Sequence, residues 1–170
     1  FNRIFAVRII NRKGMYIDTH SHIYAEEFDD DREEAVERAF EAGVEGLVLP
    51  DIDRGSRPRM LEAAERHPGR LFPTLGVHPT SVDGSWREEM AAFEKWLGRT
   101  EIVAIGECGI DLHWDTTYYK EQRAVFERQL RVAGEMDLPV IIHSRDSLPE
   151  IFAALERLHG DVRGVLHCFP

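Results

Sequence analysis

Two hydrophobic patterns take turns along this chain. Short unbroken apolar runs occur at Met15-Tyr16-Ile17, Gly46-Leu47-Val48-Leu49-Pro50, residues 71–75, Ile102-Val103-Ala104-Ile105-Gly106, Pro139-Val140-Ile141-Ile142 and Gly164-Val165-Leu166. Their length and unbroken character predict strands buried on both faces. Between them, apolar positions recur at helical spacing: Ala35, Val36, Ala39 and Phe40; Met60, Leu61 and Ala64; Trp86, Met90, Phe93, Trp96 and Leu97; Val125, Val132 and Met136. These predict helices over 33–42, 59–66, about 86–97, about 120–135 and about 149–158. Gly43 stops the first, Pro68-Gly69 closes the second, and Pro149 suits the first turn of the fifth. A long loop through Trp114 follows the fourth strand.

Strict alternation of strand and helix implies a parallel sheet covered by helices, an α/β architecture, in either a closed barrel or a doubly wound open sheet. No glycine-rich phosphate loop follows the first strand, which weighs against a nucleotide-binding open sheet. At the strand ends stand residues that bind metal: His20 and His22 after the first strand, Glu107 after the fourth, His143 after the fifth and His167 after the sixth. The carboxyl edge of a parallel sheet is where side chains from distant parts of a chain converge, and ligands spread over four strands fit a closed ring better than a straight edge.

Length and charge narrow the chemistry. The 170 residues suffice for one domain. Thirty-one acidic against 21 basic residues, a formal charge of -10, exclude a protein that coats nucleic acid through a basic surface. An anionic substrate must then be attracted locally, which bound divalent cations would do. The two cysteines, Cys108 and Cys168, each directly follow a candidate ligand, so their side chains are expected on the opposite face as free, packed thiols in a reducing, cytoplasmic setting. Residues 1–14 mix apolar residues with Arg3, Arg8, Arg12 and Lys13 and lack a small-residue cleavage site; they are expected to be an extension foreign to the domain, with Met15 as the original start. No run approaches the roughly 18 apolar residues of a membrane span, and nothing points to an obligate protein partner.

His20 and His22 are two apart, a spacing that on an extended strand places both rings on one face, with Asp18 expected beside them. Such a pair also occurs in strands without metal. Glu107 follows a strand of Ile, Val and Ala; a carboxylate there is paired with an arginine or bound to metal. With two oxygens it can bridge two ions. His143 and His167, which singly would read as hydrogen-bonded core residues, stand at equivalent strand ends facing the other candidates. Imidazole and carboxylate ligands suit zinc or manganese, whereas magnesium favours more oxygen.

The motifs Asp18-Thr19-His20-Ser21-His22, Gly76-Val77-His78-Pro79, Ile105-Gly106-Glu107-Cys108-Gly109-Ile110-Asp111, Pro139-Val140-Ile141-Ile142-His143-Ser144-Arg145 and Leu166-His167-Cys168-Phe169 together resemble the TatD family of metal-dependent deoxyribonucleases, from Met15 to Pro170. The resemblance implies a TIM-type (β/α)8 barrel, two divalent metal ions (zinc, manganese or magnesium) and 3′ to 5′ removal of nucleotides from DNA ends. It assigns His20 and His22 to one ion and His143 and His167 to the other, with Glu107 bridging and central to catalysis. His78, Asp111 and Arg145 become candidates for contacting substrate, and Arg145 has the fork that suits phosphate. Gln122 and Gln129 also match, in a helical setting that reads as structural.

An eightfold barrel takes about 250 residues, so an incomplete barrel of six strands is expected, without strands seven and eight and without an aspartate that the family carries after its last strand. Two other readings stay open. One is an amidohydrolase-type enzyme acting on a small amide or ester through a similar His-x-His barrel; the other is an inactive metal-binding fragment.

Overall fold

The computed structural model describes residues 16–158 and 162–167. The expectations for residues 1–14, Met15 and Cys168 fall outside them.

Among the described residues six strands and five α-helices alternate: β1 (Tyr16–Asp18), α1 (Arg32–Glu41), β2 (Val44–Leu49), α2 (Arg57–Arg66), β3 (Leu71–Pro73), α3 (Trp86–Trp96), β4 (Ile105–Asp111), α4 (Tyr119–Met136), β5 (Val140–Arg145), α5 (Leu148–Glu156) and β6 (Gly164–His167). All pairings are parallel, in the order β1-β2-β3 and β4-β5-β6. The two triplets meet where Leu75 bridges Ile105. There Val103 N–H donates to Pro73 O (3.0 Å), Leu75 N–H to Ala104 O (3.2 Å) and Gly106 N–H to Leu75 O (2.9 Å). Among the described residues β1 and β6 do not pair with each other.

The fourth strand differs most from its sequence reading. It begins at Ile105, not Ile102, and runs through Glu107 to Asp111. Against β5, Ile105 pairs with Val140 and Cys108 with Ile142, so three steps on β4 match two on β5. This is a β-bulge at Gly106-Glu107, a device that re-aims side chains by one residue. Gly109 lies so close to β5 that a Cβ there would stand 1.9 Å from His143 O, and its φ of 151° is one that side-chain-bearing residues rarely adopt.

The larger core lies between the β4–β6 triplet and its helices, around Phe93, Ile105, Phe126, Leu130 and Ile151. A smaller one, with Tyr24, Val36, Leu47, Leu49 and Met60, fills the space behind β1–β3, and Trp96 packs against both. Helix α4 carries Val125, Phe126, Gln129, Leu130, Val132 and Ala133 on its buried side and stops at Asp137, in the left-handed conformation with φ 54°. No helix among the described residues is long and apolar enough to cross a membrane.

Candidate metal centre

Glu107 is the hub. It is 2% exposed, and each carboxylate oxygen faces imidazoles from different parts of the sheet. Oε2 lies 3.1 Å from His20 Nε2 and 3.7 Å from His22 Nε2; Oε1 lies 3.1 Å from His143 Nδ1 and 3.6 Å from His78 Nε2. Burial alone would raise the carboxyl pKa, but hydrogen bonds from His143, His20, His22 and His78 prevail and hold it ionised.

His20 and His22 enter from the loop after β1, which Ser21 N–H pins to Val48 O at 3.0 Å. Their Nε2 atoms are 3.1 Å apart. His22 Nδ1 lies 2.9 Å from the hydroxyl of buried Tyr24, and that hydroxyl donates to Pro50 O. With its proton so committed, the hydroxyl accepts from His22 Nδ1–H, which leaves the Nε2 lone pair facing the centre. Asp18 does not join its neighbours on the inner face. It is exposed, and Oδ1 accepts from His20 N–H at 3.0 Å, because β1 ends at Asp18 and the two-residue alternation ends with it.

His143, inside β5, presents Nδ1 to Glu107 and places Nε2 2.9 Å from Asp111 Oδ2. Asp111 is buried and also accepts from the N–H groups of His113 (2.9 Å) and Trp114 (3.3 Å). Burial alone would lower the His143 pKa, but the Glu107 and Asp111 carboxylates outweigh it and raise it. The ring of His167 lies flat against that of His20, with centroids 3.5 Å apart and 9° between planes. Burial and the adjacent His20 lower the His167 pKa, favouring the neutral, ligating form.

The side chains that could share an ion fall into two sets around the one carboxylate: His20, Glu107 and His167, and His78, Glu107 and His143, with ligand atoms of each set within 4.8 Å of one another. The family resemblance implied His167 beside His143; in the fold its ring lies against that of His20, and His78 stands beside His143. The donor set fits divalent metal, since nitrogen and oxygen ligands of a tetrahedral ion with bonds of about 2.0–2.2 Å stand roughly 3.3 Å apart. His78 differs from the others in one respect. Its Nδ1 lies 2.7 Å from the Thr80 hydroxyl and 3.2 Å from Thr80 N–H, which fixes the ring so that Nε2 points at His143 and Glu107. Arg145, at the end of β5, is exposed, with its guanidinium carbon 5.0 Å from the Trp114 ring centroid and not among the imidazoles.

Sequence reasoning missed the support beneath the hub. Asp51 Oδ2 accepts from Arg57 Nε at 2.6 Å and from Gly76 N–H at 3.1 Å, while Arg57 Nη2 donates to Gly76 O at 3.1 Å. Asp51 N–H donates to Gly106 O (3.2 Å), and Glu107 N–H donates to Asp51 O (3.0 Å). An aspartate directly after the buried β2 strand was the only signal of it in the sequence.

Residues 17–170 match the TatD related DNase family, and the chain belongs to that family. It is 38% identical over 162 residues to the metal-dependent hydrolase YabD of Bacillus subtilis (strain 168), covering 91% of this chain and 61% of YabD. It is 33% identical over 154 residues to the 3′-5′ ssDNA/RNA exonuclease TatD of Pantoea vagans (strain C9-1), covering 89% of this chain and 59% of that one. The crystal structure of YJJV, a TatD homolog from Escherichia coli K12, superposes with a TM-score of 0.75 at 32% identity, covering 84% of this chain and 55% of that structure. The chain thus spans about 60% of the length of these curated relatives.

Proposed function

We propose that this chain carries most of the metal site of a phosphodiesterase that removes nucleotides from the 3′ ends of single-stranded nucleic acid, DNA foremost, and that its six parallel strands form part of a TIM-type barrel. The carrying observation is Glu107, one buried carboxylate with imidazoles against both oxygens. In this reading His20, His22, His167 and Oε2 would hold one divalent ion and His143 and Oε1 the other. Two ions held there, zinc, manganese or magnesium, would supply activation of water and neutralisation of the phosphate charge.

The chain's own residues then divide the work. Tyr24 fixes the tautomer of His22, and Asp111 does the same for His143, the outer-shell arrangement that orients metal-binding imidazoles. Asp111 therefore serves substrate through His143, from a buried position. His78, with Nε2 turned toward His143 and Glu107, would contact a phosphate oxygen or join the second ion's ligands. Arg145 offers a second cationic contact further out. The buried free thiol of Cys108 fits a reducing, cytoplasmic setting.

The test is incubation of 5′-labelled single-stranded DNA with the chain and manganese, magnesium or zinc. The expected result is a ladder shortening from the 3′ end, abolished by chelation and by Glu107→Gln. Hydrolysis of small amides in place of phosphodiesters would overturn the reading in favour of an amidohydrolase.

A further inference from the structure

A cavity of about 120 Å³ opens between the turn that follows His78 and the loop after β4. Pro79, Val82, Trp114 and Tyr118 give it apolar and aromatic walls, and Asp111, whose carboxylate holds His143, lies at its inner end. We propose that this cavity receives the nucleobase of the nucleotide adjoining the scissile phosphate, with Trp114 as its stacking partner. The proposal rests on the nucleic-acid reading above and adds to it the site that grips the base.

Trp114 is 69% exposed, more than any other large hydrophobic side chain among the described residues. Its backbone is nonetheless tied down, since Trp114 N–H donates to the Asp111 carboxylate at 3.3 Å. An indole left open to solvent, yet anchored to the carboxylate that orients a candidate metal ligand, is a platform at a fixed distance from the chemistry. The guanidinium of Arg145 lies 5.0 Å from the same ring, which places a positive charge beside the platform for the phosphate that joins base to chain.

The charge of the cavity decides which part of a nucleotide enters it. Asp83 accepts from Ser85 N–H (2.7 Å) and hydroxyl (2.8 Å), and Asp115 accepts from Thr117 N–H (2.8 Å). Both line the cavity as carboxylates and would repel a phosphate. They accept hydrogen bonds from the N–H groups on the edge of a base. Flat apolar walls, an acceptor rim and a cationic exit together match a planar, uncharged, N–H-bearing ring on an anionic backbone.

The experiment uses the full chain with manganese and a short single-stranded oligonucleotide, labelled at its 5′ end and protected by a 3′-terminal phosphorothioate linkage, ending either in a normal nucleotide or in an abasic residue. Binding is read by fluorescence anisotropy. The base-bearing end is expected to bind about 5- to 150-fold more tightly than the abasic end, the range that a base–aromatic stack supplies. Trp114→Ala should bind both at the abasic level, and Trp114→Phe should keep most of the preference. Equal binding of the two ends by the unaltered chain, or an undiminished preference in Trp114→Ala, would overturn the proposal. The two readings fail separately: a preference without any nucleotide release from unprotected DNA removes the exonuclease activity and leaves the base site standing. Release at equal rates from base-bearing and abasic ends does the reverse.

Discussion

Asp51 and Arg57 are ion-paired beneath the metal centre, Oδ2 to Nε at 2.6 Å, with side chains 0% and 1% exposed. Between them they hold both backbone polar groups of Gly76, two residues before His78, and the Asp51 main chain holds the amide of Glu107. Arg57→Met should cost about 3–5 kcal/mol, because it leaves a carboxylate buried without its partner. Pairing it with Asp51→Asn should cost less than the sum of the two changes. Burial pushes Asp51 up to about 7 even with Arg57 opposing it, so removal of Arg57 should raise it further and Asp51 should take up a proton at neutral pH, which makes about 3–5 kcal/mol the upper bound of the cost. A carboxyl whose folded pKa is raised favours the fold below its unfolded value of 3.8, and that favour is lost as pH rises through the folded pKa. Urea denaturation should therefore show a larger deficit for Arg57→Met at pH 8 than at pH 6.

Tyr24→Phe deletes a single hydroxyl, the one that ties His22 Nδ1 to Pro50 O. Loss of such an outer-shell partner typically costs about 10- to 100-fold in metal affinity. Competition with a fluorescent chelator should show that fall, while circular dichroism stays that of the unaltered chain.

If the proposed two-ion site is right, Glu107→Gln should release both metal equivalents, because a carboxylate shared by two cations would also offset their repulsion. His20→Ala and His143→Ala should each release one, from opposite oxygens of Glu107. Elemental analysis after desalting measures this, and equal metal content in all three variants would sink the assignment.

Cys108 is wholly buried, and desolvation first, then the nearby Glu107 charge, pushes its thiol far above its ordinary range. In a Cys168→Ser background it should resist thiol reagents in the native state and react fully in urea. A thiol raised in this way favours the fold below its unfolded pKa of 9.0, and the benefit is lost at higher pH. Stability should therefore decline above about pH 9, and less so in Cys108→Ala.

Gly109→Ala should leave the chain largely unfolded or insoluble, since the new Cβ would meet His143 O at 1.9 Å with backbone, not side chain, in the way. Its soluble yield beside that of Gly134→Ala, where nothing lies within 4 Å of the new atom, checks this.

The order of elements was legible because each strand is an unbroken apolar run and each helix carries one apolar stripe. Four of the candidate ligands were legible because histidine is conspicuous at the end of such a run. What escaped was anything set by a single inserted residue or by contacts distant in sequence. Ile102-Val103-Ala104-Ile105-Gly106 looks like a complete strand, and nothing in its composition reveals that pairing with β5 starts only at Ile105 and that a bulge then turns Glu107 inward. Asp18 shares the spacing of His20 and His22 but not their direction. His78 read as a residue at the rim, yet its ring reaches His143 at 3.2 Å. Tyr24, Asp51 and Arg57 are polar residues whose burial depends on which backbone carbonyls and amides the fold brings to them, and sequence spacing carries no trace of that.

The two strand triplets meet at one bridge, and the metal centre straddles that seam: His20 and His22 come from the first triplet, Glu107, His143 and His167 from the second. An ion gripped from both sides acts as a suture. Thermal stability should then rise with free metal concentration in the manner of any ligand bound by the native state alone, and chelation should loosen β3 from β4 before it disturbs either triplet. In the proposed reading, the bonds that would serve catalysis would also reinforce the seam between the two triplets.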